Sequence, residues 1–323
     1  LKKVTFIMVF ITIILSFGMT IFQSPLLANT ESKKNEFRDI YLNIITVNKP
    51  QAEMVKRIIG NKHNVEYMIT DEKDIKNFEF DDDVVKNVSN MDLFIYTGTD
   101  FEPWISNFIS KLKKGNLGII NLSRGIRLLN FDNNGDVKEN PYYFEGIEEY
   151  KIALYNIKNS IQDKDPKNRD YYEENYNKSI KEFDKQISYY NKHINALKNY
   201  NFVILDNRFD YIAKSLNLST IKLQNNDIND LVKEKNLDPE KVVIIQDGDD
   251  LVDINRLIDI DSMKTEGTES NPEAKYYKTV ELWKYYGNMS FDDLILYNIK
   301  ELSNIVELDV ANNTDNNLEE EVK

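Results

Sequence analysis

Few side chains in this sequence are equipped for covalent or proton-transfer chemistry. There is no cysteine, which removes thiol nucleophiles, disulfides and thiolate metal sites together. The histidines are His63 and His193 alone, so a zinc site built mainly of imidazole is excluded. Ser123 and Ser262 have no histidine close in sequence, no GxSxG elbow occurs, and the scattered glycines form no phosphate-cradling loop. Carboxylates are plentiful, but runs such as Asp81-Asp82-Asp83 and Asp249-Asp250 read as solvated loops rather than acid–base pairs. His63 precedes a strand and His193 lies in a long helix, and both read as surface residues. The net charge of −13 argues against a nucleic-acid backbone as partner. It suits an extracellular protein and a cation binder equally.

The elements that must position any site are organised around one stretch, Pro166 to Asn199. Asp165 is a suitable N-cap and Pro166 suits the first helical turn. Tyr172, Tyr176, Ile180, Phe183, Ile187, Tyr190, Ile194 and Leu197 recur at steps of four and three, which predicts one face of a single helix. Such a helix spans about 50 Å, enough to touch two bodies. A coiled-coil seam is the other reading, disfavoured by its many tyrosines.

Strands alternate with helices before and after this spine, which predicts parallel βαβ units in two α/β lobes. The first lobe has strands at Ile40–Asn48, Asn64–Ile69, Asp92–Gly98 and near Leu117–Ser123, with an irregular acidic stretch at Asp71–Asp83. The second has strands at Asn201–Asp206, Ser219–Leu223, Val242–Gln246 and Leu257–Met263, then closing helices at Tyr276–Tyr286 and Asp292–Val306. Trp104, Trp283 and the stripe tyrosines read as core or lobe-interface residues. Two lobes on one stiff helix leave a cleft, the default ligand site.

Lys2 and Lys3 followed by the apolar Val4–Phe22 read as an export signal cleaved near Ala28, with a retained membrane anchor as the other reading. The expected division is therefore a signal or anchor at 1–28, a tether at 29–37, an N-terminal lobe at 38–163, the connecting helix at 164–199, a C-terminal lobe at 200–308 and an acidic disordered tail at 309–323.

Five phrases carry a family resemblance. Asp92-Leu93-Phe94-Ile95-Tyr96-Thr97-Gly98 with Phe101-Glu102-Pro103-Trp104-Ile105 resembles the "DLVVYNG…EPWL" of the zinc- and manganese-binding receptors of ABC importers. Asn140-Pro141-Tyr142-Tyr143 sits where that family has Asn-Pro-His-x-Trp. Asp165-Pro166 with Tyr171-Tyr172 resembles its "DP…YY" helix start. Leu205 to Ala213 resembles its "SHDAFGYFA", and Ile260-Asp261-Ser262-Met263 its "LDPL". Order and spacing agree over residues 38 to 308. The resemblance implies two α/β lobes joined by a long rigid helix, with metal bound in the cleft between them.

The departures fall on the ligands. The family's first histidine aligns with Lys76, the second with Tyr142 and the third position with Asp206, while the fourth is retained as Asp261. The stretch from Gln246 to Asp261 also looks short for the family. The metal set implied by the resemblance is therefore Tyr142, Asp206 and Asp261, with Lys76 where a ligand is missing. A phenol and two carboxylates suit hard cations such as Mn, Mg or Ca better than zinc, and a tyrosinate would suit ferric iron. If Lys76 enters the cleft it pairs with Asp206 or Asp261 and leaves a metal-free site. Tyr142 as lobe-interface packing and Asp206 and Asp261 as helix caps are the plain readings of the same residues.

The functional expectation is an exported, extracellular or periplasmic, monomeric solute-binding protein that hands a divalent cation (Mn, Zn, Fe or another) to an ABC permease. It has no catalytic step and touches the membrane at most through its N-terminal segment. The other expectations are a metal-free binding or adhesion module that kept the fold, and an enzyme using cleft carboxylates.

Overall fold

The computed structural model describes residues 40–113, 115–133, 135–223, 228–247, 277–284 and 289–320. Residues 40 onward form one compact unit that contains two four-stranded parallel sheets. In the first half, β1 (Asn43–Asn48) leads into α1 (Lys49–Ile59), then β2 (Asn64–Ile69), α2 (Glu72–Lys76), α3 (Asp82–Ser89), β3 (Leu93–Tyr96), α4 (Ile105–Lys111) and β4 (Gly118–Asn121). Strand order is β2-β1-β3-β4. The central strands are near-continuous apolar runs because helices cover both faces, and Ile44, Val47, Phe94 and Ile95 are fully buried. The turn from β1 into α1 is fixed by a capping box: the Asn48 side chain accepts the Gln51 N–H at 3.0 Å and the Gln51 amide oxygen accepts the Asn48 N–H. The acidic stretch expected to be irregular holds α2 and the start of α3, each begun by an aspartate cap, Asp71 and Asp81.

A hairpin follows, β5 (Asn130–Asn133) with β6 (Asp136–Glu139), and then α5 (Ile147–Lys164). The spine is shorter than its periodicity suggested. Pro166–Asn168 is a 3-10 turn, α6 runs Arg169–Tyr189, and Tyr190 interrupts it before α7 (Asn191–Leu197). The single rod expected over 166–199 is thus a 21-residue helix of about 32 Å plus one short helix. The stripe survives the break, because the turn at Tyr190 still places Ile194 and Leu197 against the same core as Tyr172 and Phe183. The spine packs on α1 and α5 of the first half and on the last helix.

The second half has β7 (Asn201–Ile204), α8 (Asp210–Ser215), β8 (Ser219–Lys222), α9 (Ile228–Glu234), β9 (Val242–Asp247), β10 (Lys278–Leu282) and α10 (Phe291–Glu320), with strand order β10-β9-β7-β8. β10 corrects the helix expected at Tyr276–Tyr286. Val280 and Leu282 alternate with exposed neighbours, a period of two that pairs in register with β9. The strand expected at Leu257–Met263, and the shortened stretch before Asp261, lie outside the described residues. The backbone of α10 is helical through Glu320, beyond residue 309 where the sequence suggested a tail. Among the described residues no helix is long and apolar enough to cross a membrane.

Two residues read as surface or core from sequence change places. Trp283, expected in the core or at the lobe interface, is 40% exposed. His63, expected at the surface, is buried: its Nδ1 accepts the Leu42 N–H at 3.3 Å and its Nε2–H meets the Tyr172 hydroxyl at 2.6 Å. His193 is partly buried, 3.6 Å from Glu307.

Candidate functional site

Loops that follow strands of the two halves meet at Tyr142. Asn140, fully buried, builds the junction. Its side-chain oxygen accepts the Tyr142 N–H at 3.1 Å, and its amide donates to the Asn207 carbonyl at 2.6 Å and to Asp210 at 3.2 Å. The Tyr211 hydroxyl donates to the Asn140 carbonyl and accepts the Leu129 N–H, both at 2.9 Å. The Asn-Pro-Tyr loop of the first half is therefore latched to the loop after β7. Burial raises the Asp210 pKa, against the opposing pull of Lys222 at 2.7 Å and of Asn140.

Tyr142 packs edge-on to Phe101 and Phe144, with ring centroids 5.8 and 6.1 Å away. Only its outer edge is free to act. There the Lys76 ammonium donates to the phenol oxygen at 3.1 Å, and the Arg208 guanidinium lies 5.2 Å from the ring centroid. Arg208 Nε pairs with Asp206 at 3.2 Å, and the other Asp206 oxygen accepts the Arg208 N–H at 2.9 Å, capping the turn Asn207–Phe209. Lys76 pairs with Tyr142; of the two partners expected for it, Asp206 is held by Arg208 and Asp261 lies outside the described residues.

Lys76 owes its place to the Glu-Pro-Trp segment. The Trp104 indole N–H donates to the Ile75 carbonyl at 2.6 Å, and Phe78 packs on the indole at 4.8 Å, which pins the end of α2. Glu102 anchors that segment to β3. Buried to 1% exposure, it accepts the Thr97 N–H and hydroxyl at 2.9 and 2.5 Å and the Gly98 N–H at 3.2 Å. Gly98 has a positive φ of 87°, and a side chain there would overlap Asn121, so glycine is required.

Burial pushes the Glu102 pKa up to about 7, against the hydrogen bonds from Thr97 and Gly98 that favour the anion. A carboxyl whose folded pKa is raised contributes stability below its unfolded value that is lost as pH rises through the folded value. Between about pH 5 and pH 8 the Glu102 contribution should therefore fall, and Glu102→Gln should flatten that fall in urea melts. An unchanged slope in the variant contradicts this assignment.

Of the four aligned positions, Lys76, Tyr142 and Asp206 come together; Asp261 lies outside the described residues. The sequence reading missed Arg208 as a site residue, although a cation two residues past the aligned Asp206 was the available signal. Among the described residues, no group of three or more His, Asp or Glu is placed to hold a metal ion. The two described oxygen donors each already face a cation, Lys76 on Tyr142 and Arg208 on Asp206, so a metal ion entering here has to displace both.

Comparison with known proteins agrees with this architecture. The family model for the periplasmic zinc-uptake complex component A, ZnuA, matches residues 44–247. A metal ABC transporter substrate-binding lipoprotein of Lactococcus lactis is 27% identical over 158 residues, 47% of this chain and 50% of that protein. The high-affinity zinc uptake system protein ZnuA of Bacillus subtilis is 23% identical over 197 residues, 56% of this chain and 60% of that protein. The matches thus span about half to three-fifths of these curated relatives. The crystal structure of the metal-dependent lipoprotein YcdH from Bacillus subtilis superposes with a TM-score of 0.62 at 20% identity, covering 81% of this chain and 98% of that one. The solute-binding protein FpvC of Pseudomonas aeruginosa in complex with Mn2+ gives 0.63 at 15% identity, covering 84% and 100%. With a family model matching well over half of the sequence and a two-sheet fold to go with it, the chain belongs to the family of periplasmic zinc-uptake component A proteins.

Proposed function

We propose that this protein is the exported solute-binding component of an ABC importer of the metal type, acting outside the cytoplasmic membrane. It works as a monomer with no catalytic step, capturing a divalent cation in the cleft around Tyr142, Asp206 and Asp261 and delivering it to a membrane permease. Residues 1–28 serve as signal or anchor and 29–37 as tether. The lobes are 38–163 and 200–308, on either side of a connecting segment at 164–199. The observation that carries this reading is the convergence of Lys76, Tyr142 and Asp206 on one junction, from elements far apart in sequence. The printed names of the relatives, metal ABC transporter substrate-binding lipoproteins and a zinc uptake protein, support the class of cargo.

One observation favours a second reading, in which the fold is kept and cation capture is lost. Lys76 sits on the Tyr142 oxygen and Arg208 on Asp206, so an entering cation must displace both. On the first reading the cargo is a hard cation bound weakly, with manganese ahead of zinc. Thermal melts with Mn, Zn and Ca decide between the two, since a ligand of the folded state raises the melting temperature. Asp206→Ala and Asp261→Ala should each weaken the Mn affinity read from that rise at least about tenfold while leaving the metal-free melt within a few degrees. No rise with any cation in the parent protein leaves the second reading standing. A rise that survives both substitutions places the site elsewhere.

A further inference from the structure

A cavity of about 820 Å³ opens between α1 on one side and Trp283, Lys284 and residues 289–294 on the other, within the size range of small-molecule sites. No residue of the Tyr142 cluster lines it. One wall is apolar, from Trp283, Met289 and Leu294; the opposite wall is α1, presenting Lys49, Glu53, Lys56 and Arg57.

The wall is built rather than incidental. Both backbone groups of Trp283 are clamped by Asn298, whose side chain is buried and bonds the Trp283 N–H and carbonyl at 2.8 Å each. The indole is thus held at the surface by a rigid backbone, its ring 5.2 Å from that of Tyr297. An exposed indole fixed on the lip of a cavity is a platform for an apolar body.

The charges on the lining sort into committed and uncommitted groups. Lys56 is paired with Glu53 at 2.8 Å, Arg57 with Asp292, and Lys284 with Asp247. Asp293 accepts the Ser290 hydroxyl at 2.6 Å and its N–H reaches back to that oxygen at 3.4 Å, a capping arrangement at the positive end of α10. Lys49 has no ion pair or hydrogen bond among the described residues. The Arg57 Nε–H is buried and also has no acceptor there. The lining carboxylates, Glu53 and Asp293, are taken up by Lys56 and Ser290, which leaves Lys49 and the Arg57 Nε–H as the donors without an acceptor among the described residues.

We propose that this cavity binds a small organic anion with an apolar body, the body seated on Trp283 and Met289 and the anionic group against Lys49 and Arg57. This is independent of cation capture at Tyr142, and a metal-free cleft would leave it intact.

Isothermal titration of the full-length protein with 1-naphthoate, 1-naphthamide and inorganic phosphate tests the proposal. The expected result is naphthoate binding tighter than about 1 mM, with the uncharged amide and phosphate each at least about tenfold weaker. Lys49→Glu and Trp283→Ala should each weaken naphthoate at least about tenfold with little change in melting temperature, and Asp206→Ala should leave it unchanged. Equal binding of naphthoate and naphthamide, equal binding of phosphate, no naphthoate binding, or naphthoate affinity unaffected by both cavity substitutions would each overturn it.

Discussion

Lys76→His should bind Mn or Zn at least about tenfold more tightly than the parent protein, and the gain should appear as a metal-dependent rise in melting temperature. The reasoning is electrostatic. In the parent, an ammonium sits 3.1 Å from the phenol oxygen that would serve as ligand. Two unit charges about 4 Å apart near a protein surface interact by about 4 kcal/mol. Lys76 is largely exposed, so solvent screening removes much of that, and a residual of about 1.4 kcal/mol is the tenfold expected. The substitution removes the repulsion and adds a nitrogen donor beside Tyr142 and Asp206. Its backbone setting is kept, because Trp104 holds Ile75 and not the lysine side chain. Calorimetric titration of parent and variant reads the effect directly. Equal affinity in both proteins would mean that Lys76 does not control the site.

The second large effect lies in the joint between the first half and the spine. Tyr172 donates to the Asp165 carboxylate at 2.5 Å and meets His63 Nε2 at 2.6 Å. Asn168 donates to the same carboxylate oxygen at 2.7 Å. Because His63 Nδ1 accepts the Leu42 N–H, the proton of the neutral ring resides on Nε2 and points at Tyr172. The chain of donors is thus fixed in one direction, from His63 through Tyr172 to Asp165. All three are buried. Tyr172→Phe leaves a buried carboxylate with one partner fewer and a buried imidazole N–H whose remaining acceptor is that carboxylate at 3.5 Å. A cost of about 2–4 kcal/mol is expected, or roughly 5–10 °C in melting temperature for a chain of this size.

Burial lowers the His63 pKa, with the nearby Asp165 charge opposing. A histidine held neutral in the fold contributes stability above its unfolded value of about 6.5 that is lost as pH falls below it. Urea melts at pH 7.5 and 5.5 should therefore show a larger acid loss in the parent than in His63→Leu. An acid loss of equal size in both would remove His63 from the account. Glu102 acts in the opposite sense, losing its contribution as pH rises through the same mildly acidic range, so the two groups partly offset each other there.

How much of this was legible in the sequence differs by element. The first sheet was readable because β1, β3 and their neighbours are apolar runs punctuated by Pro50, Gly60 and Gly98. The stripe of α6 was readable from its spacing, but its end at Tyr189 was not, since Tyr190, Ile194 and Leu197 continue the pattern across the break. β10 was misread because its aromatic and lysine flanks hide a five-residue alternation. His63 was misread because burial of a histidine depends on partners 109 residues away, which spacing does not show. At the candidate site, the resemblance pointed to Lys76, Tyr142 and Asp206, which the fold brings near one another. The pairing of Arg208 with Asp206, and the choice of Tyr142 over a carboxylate as the partner of Lys76, are facts of three-dimensional packing.

Diffraction from crystals of the unmodified protein grown with submillimolar Mn, collected at the manganese edge, tests the central claim most directly. The account predicts an anomalous peak within bonding distance of the Tyr142 and Asp206 oxygens, with the lysine ammonium and the guanidinium drawn away from them. No peak there, with Lys76 still on the phenol oxygen and Arg208 still on the carboxylate, would contradict it.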